Sequence, residues 1–343
     1  MHPRAEPADP TTAATRPRPG DRLAALDLGT NNCRLLVCEV GTDELRVVDS
    51  FSRIVRLGEG LSCHDRLSEA AMARTLAALK VCAKIIARHR CVAVRCVATE
   101  ACRRAVNGPD FLRRVRRVTG LELELIGRDE EARLAMLGCL PLADPDADRL
   151  LVVDIGGGST DLLWLDRRAA PNGEEPGEPF SLPLGVVTLA EIFGREVTPD
   201  SYARMVEHVE DQLRRLGPPR GAEATGSFEM LGTSGTVTTL AALHIGLRRY
   251  DRRKVDGLVL PFAAIRAVAA RLRALDNAAR AAHPCIGRGR ADLVVAGCAI
   301  LDAIHRLWPV ERLTVADRGL REGILAKLMG ATLGDALRPR VAA

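Results

Sequence analysis

Apolar positions along this chain follow two rhythms. Short unbroken runs that stop at Gly, Asp or Asn read as buried strands, and longer stretches with apolar residues three and four apart read as one-faced helices. The first rhythm gives strands over Arg22–Leu28, Cys33–Val40 and Leu45–Val55, close enough in sequence to form an antiparallel meander. A helix follows over Ser68–Ala87, where Met72, Leu76, Leu79, Ala83 and Ile86 share a face and Ser68 stands at the N-cap position. Strand Cys91–Ala98, helix Pro109–Val118 and strand Leu121–Ile126 come next, and then a helix whose first turn carries Asp129, Glu130 and Glu131.

The pattern restarts at Arg149. The apolar run Leu150–Val153 ends in Asp154, three glycines and the hydroxyl pair Ser159 and Thr160, with a second strand directly after. Laid without a gap on the start of the chain, Asp154 falls on Asp27, Gly156 on Gly29, Gly157 on Thr30, Gly158 on Asn31, and Leu162 and Leu163 on Leu35 and Leu36. A strand, turn, strand unit used twice predicts two similar α/β domains facing each other across a central cleft, one hairpin from each. Beyond a polar insertion, Asp166–Pro179, that reads as a surface loop, strand Phe180–Leu184 ends at Gly185 and leads into a short helix. Helix Pro199–Leu216 then stops at Gly217, Pro218 and Pro219. Strand Phe228–Leu231, a helix opening at Ser234, helix Arg290–Leu307 with Gly297 inside it, and a last helix after Asp317 complete the chain.

Composition narrows the class. A length of 343 residues has room for about two domains, and 47% apolar with 27% charged residues is ordinary for a globular enzyme. No apolar run reaches the roughly 20 residues of a membrane span, and the first residues lack the apolar centre of a signal peptide. A cytoplasmic protein with no membrane partner and a floppy N-terminal tail is expected. The 10 cysteines include no CxxC pair, so neither a zinc site nor a disulfide framework is indicated, and most are expected to be buried thiols. A net charge of +5 suits a polyanionic ligand. In FLRRVRRV, however, the arginines oppose the apolar face of Phe111, Leu112, Val115 and Val118 and read equally well as solvated. Aromatics make up only 3%, too few to stack nucleic-acid bases, so no specific nucleic-acid partner is expected.

The candidate chemistry lies at the ends of the strands. Gly156, Gly157 and Gly158 keep side chains out of the second turn and leave backbone N–H groups open to an anion, phosphate above all. A β-branched residue at Gly157 is expected to block that approach and to resist a positive φ there. Asp154, closing a buried strand, is where a carboxylate can hold a hydrated divalent cation, although a capping Asp on a glycine hairpin reads the same way. Gly232 and Gly235 bracket Ser234 at a helix N-terminus, a further anion site. Strand Cys91–Ala98 delivers Thr99, Glu100 and Arg103 to its ligand-binding end, where Arg103 either grips phosphate or pairs with a neighbour. Asp129, Glu130 and Glu131 suit a helix N-terminus on dipole grounds alone, and one of them suits the activation of water. A helical Gly297 suggests close backbone or ligand approach.

With these residues in view, the chain resembles the exopolyphosphatase and guanosine pentaphosphate phosphohydrolase family, part of the wider actin, Hsp70 and sugar-kinase fold, which is ribonuclease H-like. The likeness runs from Ala24 to about Lys327 and rests on DLGTNN, ATEACRRAVN, DEEARL, LVVDIGGGSTDL, SLPLG, LGTSGT and REG, in order. It implies a tail over 1–21, a first domain over 22–139 with a helix at about 317–330 packing back on it, and a second domain over 140–316. It implies Glu131 as general base and Arg103 as a phosphate-binding arginine. Gly29, Thr30, Asn31 and Asn32 would form one phosphate cradle, and Gly156 to Ser159 the other. The implied cofactor is Mg2+, with Asp27, Asp154 and Asp161 as its carboxylates, and the implied substrates are polyphosphate or guanosine pentaphosphate, cleaved by water without a covalent intermediate. A homodimer is compatible with the sequence.

Three departures stand out. Thr30, Asn31 and Asn32 replace the common Ser-Asn-Ser, and Asn32 cannot supply the small hydroxyl. Asp161 replaces a common Glu and retracts that carboxylate by one methylene. The chain ends soon after REG, as the short two-domain form does. His64 and Asp65 form an HD dipeptide that reads as ordinary surface. A kinase of the same fold and a non-catalytic phosphate sensor remain as alternatives. No acceptor-sugar site is visible for the first, and Glu131 is retained against the second.

Overall fold

The opening strand-forming runs pair as their short connections demand. β1 (Arg22–Leu28), β2 (Asn32–Val40) and β3 (Leu45–Ile54) form the antiparallel meander, followed by α1 (Leu61–His64) and α2 (Glu69–His89). Ser68 caps α2 by accepting a hydrogen bond from Ala71 N at 3.2 Å. β4 (Ala93–Ala98) returns parallel to β1, then come α3 (Glu100–Arg104), α4 (Gly108–Thr119), β5 (Leu123–Leu125) parallel to β4, and α5 (Arg128–Cys139). The sheet order is β3-β2-β1-β4-β5. The computed structural model describes residues 17–42, 44–166, 179–194, 196–216 and 228–332. Most of the expected tail, the insertion before Pro179 and the helix stop at 217–219 lie outside them.

The second half repeats this path. β6 (Arg149–Ile155), β7 (Thr160–Asp166) and β8 (Pro179–Leu182) form a second meander, followed by α6 (Val186–Phe193) and α7 (Pro199–Leu216). β9 (Glu229–Thr233) runs parallel to β6 and leads into α8 (Ser234–His244), α9 (Arg252–Val255), β10 (Val259–Pro261), α10 (Phe262–Ala274) and α11 (Asn277–Ala282). α12 (Val294–Leu307), β11 (Arg312–Ala316) and α13 (Leu320–Leu328) close the described chain. The order β10-β11-β9-β6-β7-β8 matches the first sheet strand for strand from the meander edge, with β11 in the place of β5 and β10 added outside. This is the duplicated α/β fold expected from the repeat. α12 starts at Val294 rather than Arg290, because Arg290 N and Ala291 N bond to Gly287 O in a separate turn.

Each sheet buries its own core, and α5 joins the two. Leu134 of α5 shares a cluster with Leu23, Ala25 and Val97 of the first sheet and with Ile324 and Leu325 of α13. One half-turn on, Met136 and Leu137 pack on Leu150, Val152 and Leu163 of the second sheet. Two glycines permit the close crossing of α5 and α13: a Cβ on Gly138 would meet Gly319 O, and one on Gly323 would meet Leu134 O. Gly297 serves a like purpose, since its Cβ would collide with Thr236 of α8. Eight of the ten cysteines are buried free thiols, and Cys63 is exposed. Among the described residues no helix is long and apolar enough to cross a membrane.

Candidate functional site

The two hairpins are built alike. Gly29 N donates to Asn32 O and Gly156 N to Ser159 O, each at 2.9 Å, so the turns close with the same bond at the same aligned positions. They also touch. A Cβ on Gly157 would lie 3.1 Å from Thr30 Cβ and 3.2 Å from Asn31 N, and a Cβ on Gly158 would crowd Thr30 and, at 3.1 Å, Glu100 Cγ. None of Gly156, Gly157 and Gly158 has a positive φ. The expected backbone reason for glycine at 157 is therefore corrected: the opposite hairpin, not the turn, requires it. The SLPLG segment buttresses the second turn from behind. Val186 N and Val187 N donate to Gly156 O and Gly157 O at 3.0 and 2.8 Å, which occupies those carbonyls and the first donors of α6 with each other.

Between the hairpins lies a cleft of about 750 Å³, a size typical of small-ligand sites. Its walls include Asp27 and Gly29 to Asn32 from the first half, and Asp154, Gly156 to Ser159 and Asp161 from the second. α5 sorts the three acids of its first turn. Glu131 lines the cleft, Glu130 turns outward to Arg95 at 2.5 Å, and Asp129 faces a separate groove. Ser234 lines the cleft with a left-handed φ of 75°, a strained conformation for a residue with a side chain.

Two expected anion contacts, Arg103 and Gly232, sit elsewhere. Arg103 is turned away from the cleft: Nη1 donates to Glu131 Oε2 and to Ile126 O, both at 2.8 Å, while Nε and Nη2 donate to Glu100 Oε2. It orients the acid rather than facing the cavity, because two carboxylates and a carbonyl already occupy its donors. Gly232 is a core glycine whose Cβ would press on Leu313 and Val237. Gly235 lines a small pocket beside Arg290 that opens off the cleft and shares Asn31, Gly156, Gly157 and Ser234 with it.

Burial sets the electrostatics. The Glu131 carboxyl is pushed up to about 8, first by burial and then by the charge of Asp161, against the pull of Arg103. Burial likewise raises Asp161 to about 7 and Asp27 to about 6, and it raises Asp154. Asp154 Oδ1 and Asp161 Oδ1 are buried with no hydrogen-bond partner among the described residues, as are Asn31 Oδ1 and Asn32 Oδ1. Buried acceptors left open in this way suit a cation.

Sequence reading singled out none of the cleft's arginines as ligands. Arg34, Arg290 and Arg321 all line it. Burial lowers the Arg290 and Arg321 guanidinium values, and the charge of Arg34 pushes both further down. Among the described residues neither Arg34 nor Arg290 has a carboxylate within ion-pair distance. Like charges gathered with no carboxylate in close contact with Arg34 or Arg290 suit a polyanion. Arg34 carried a signal, a charge inside the buried run CRLLV, whereas Arg290 lies in a loop with no pattern to mark it.

Comparison with known proteins gives a consistent result. Residues 36–332 match the model of the Ppx/GppA phosphatase family. Exopolyphosphatase 2 of Mycobacterium tuberculosis is 32% identical over 328 residues, covering 90% of this chain and 99% of the relative. The crystal structure of the Aquifex aeolicus Ppx/GppA family member superposes with a TM-score of 0.73 at 32% identity, covering 90% and 97% of the two chains. An exopolyphosphatase from Cytophaga hutchinsonii gives a TM-score of 0.82 at 25% identity, over 92% and 99%.

Proposed function

The chain belongs to the Ppx/GppA phosphatase family, and on that premise we propose that it releases orthophosphate from the end of inorganic polyphosphate, with guanosine pentaphosphate as a second substrate. The observation that carries this reading is Glu131, the one acid of its helix turn that faces both glycine hairpins across the cleft. Water between Glu131 and the terminal phosphorus gives its proton to the carboxylate as its oxygen bonds to phosphorus. The bridging P–O bond breaks, and the shortened chain leaves with the bridging oxygen. A base whose affinity for protons lies near neutral pH is the effective kind, and burial puts Glu131 there. Arg103 fixes its orientation. Backbone N–H groups of the two turns and the guanidinium groups of Arg34, Arg290 and Arg321 are positioned for the charge of the phosphates.

Asp154 and Asp161 would hold magnesium, whose charge would offset that of the scissile phosphate. Their open buried oxygens fit such an ion. Among the described residues no three His, Cys, Asp or Glu groups form a cage on their own. Magnesium commonly keeps its waters and takes one or two carboxylates plus substrate phosphate, which agrees with that arrangement. Phosphate release from long polyphosphate, guanosine pentaphosphate and ATP, side by side with and without magnesium, tests the reading. Release from polyphosphate that needs magnesium is expected. Turnover of ATP alone, only with an acceptor present, would replace the hydrolase by a kinase.

A further inference from the structure

The segment Val55–Leu61 has no part in the reaction described above, yet it ties the two halves together. On one side it is bonded to the first hairpin: Asn31 O accepts from Val55 N and Arg56 N at 2.9 and 3.0 Å, and Thr30 O accepts from Gly58 N at 2.9 Å. On the other it crosses to the second half. Arg56 Nη2 donates to Asp292 Oδ1 at 2.9 Å and to Gly289 O at 3.3 Å, and Gly60 N donates to Glu191 Oε1 of α6 at 2.8 Å. Asp292 is only 7% exposed. Arg56 holds a left-handed φ of 48°, which a residue with a side chain keeps only where its surroundings impose it. Gly289 leaves room for Ile54, whose side chain an added Cβ would strike.

Both anchor points lead back into the cleft. Arg290, which lines it, lies two residues before Asp292 in the same turn. α6, which carries Glu191, is the helix whose first N–H groups grip Gly156 and Gly157. We propose that Arg56 and Asp292, with the Gly60–Glu191 bond beside them, form a clasp that positions the first hairpin against the Arg290 turn and the second hairpin, and so sets how far the cleft closes on phosphate. The proposal takes the hydrolase reading as the reaction served. Neither Arg56 nor Asp292 lines the cleft, so both act as positioning residues. Either loss removes the bonded charge pair that ties the segment to the Arg290 turn, and so opens the clasp.

The test uses Asp292→Asn, Arg56→Gln, the double variant, and Arg56→Lys, which keeps the charge without the planar fork that serves two acceptors. Amide exchange over 55–60 is expected to quicken about tenfold in Asp292→Asn, a change made in the other half of the molecule, while exchange in β1 stays put. The KM for polyphosphate is expected to rise about tenfold in each single variant, with kcat moving less, and no further in the double variant. Arg56→Lys is expected to fall between wild type and Arg56→Gln, and it carries the test if the other variants fail to fold. Unchanged exchange over 55–60, or KM effects that multiply in the double variant, would overturn the clasp. If the wild type releases no phosphate from polyphosphate, the hydrolase reading fails, and the exchange measurement still decides the clasp.

Discussion

Asp154 and Asp161 stand directly opposite each other on β6 and β7, at the register that pairs Asp27 with Arg34 on β1 and β2. Residues directly opposite in an antiparallel pair project from the same face of the sheet. The repeated hairpin has thus kept its backbone and changed its charge. In the second copy the charge of Asp154 adds to the cost of ionising buried Asp161, which a cation relieves. In the first, Arg34 offsets the burial of Asp27 and lines the cleft. A bound magnesium phosphate would meet the sign it needs on each side.

Asp154→Asn should therefore abolish metal-dependent turnover without weakening the fold. Its carboxylate is buried and pays a desolvation cost that the amide does not. Magnesium titration by calorimetry, phosphate release and thermal melting should show lost binding, lost rate and an unchanged or higher melting temperature. A large drop in melting temperature would make Asp154 a structural residue instead.

Glu131→Gln should lower the rate by a factor of roughly 100 to 10,000, the usual cost of a lost general base. Glu130→Gln is the control. It shares the helix turn but bonds to Arg95, away from the cleft. Its rate should stay within a small factor of wild type, and both variants should melt close to it. Equal, mild effects in a phosphate-release assay would remove the catalytic assignment.

The pH dependence has opposite signs for rate and stability. The Glu131 carboxyl is raised from 4.5 to about 8 in the fold. Its contribution to stability is therefore complete below pH 4.5 and is lost as pH rises through about 8. Rate should climb through the same interval as the base loses its proton. Arg103→Gln removes the cation that holds Glu131 down, so the rising limb should move to higher pH. A pH–rate profile that stays flat from about pH 6 to 9 would contradict a base of this kind.

Gly157→Ala tests what the glycines are for. The backbone there accepts a side chain, so the fold should be nearly unaffected. The added Cβ meets Thr30 and Asn31 across the cleft, and the hairpins must part by a few tenths of an ångström. The expected result is a raised KM for polyphosphate and a reduced kcat at an unchanged melting temperature. Unchanged kinetics would mean that the hairpins need not approach so closely during turnover.

The duplicated fold was legible because both copies of the hairpin present a buried run, an acid and a small turn, and those features are local. Helix Pro199–Leu216 was legible to the residue because a proline starts it and an amphipathic face runs through it. Glu131 could be narrowed only to a trio, since three adjacent acids look alike until α5 is docked and one of them faces inward. Arg103 stayed open for the same reason: strand order brings it to the ligand end of the sheet, where it could grip phosphate or pair with a neighbour, and Glu100 and Glu131 claim its donors. Arg290 was invisible, because it reaches the cleft through a turn that only the docking of the two halves makes meaningful.

Arg290 gives the remaining prediction. Burial and the charge of Arg34 both oppose its ionised form, so in the free protein the residue costs stability. Bound polyanion reverses the balance, because phosphate oxygens supply the missing counter-charge. Arg290→Gln should therefore melt at or above wild type without ligand, yet bind tripolyphosphate more weakly by roughly the 1.5–3 kcal/mol of a charge-assisted hydrogen bond, about 10- to 150-fold. Arg104→Gln, which changes an arginine in the separate groove, should alter neither quantity. Calorimetry with tripolyphosphate and melting curves with and without it separate the outcomes. A variant that loses stability but keeps its affinity would identify Arg290 as a packing residue and leave Arg34 and Arg321 to meet the phosphates.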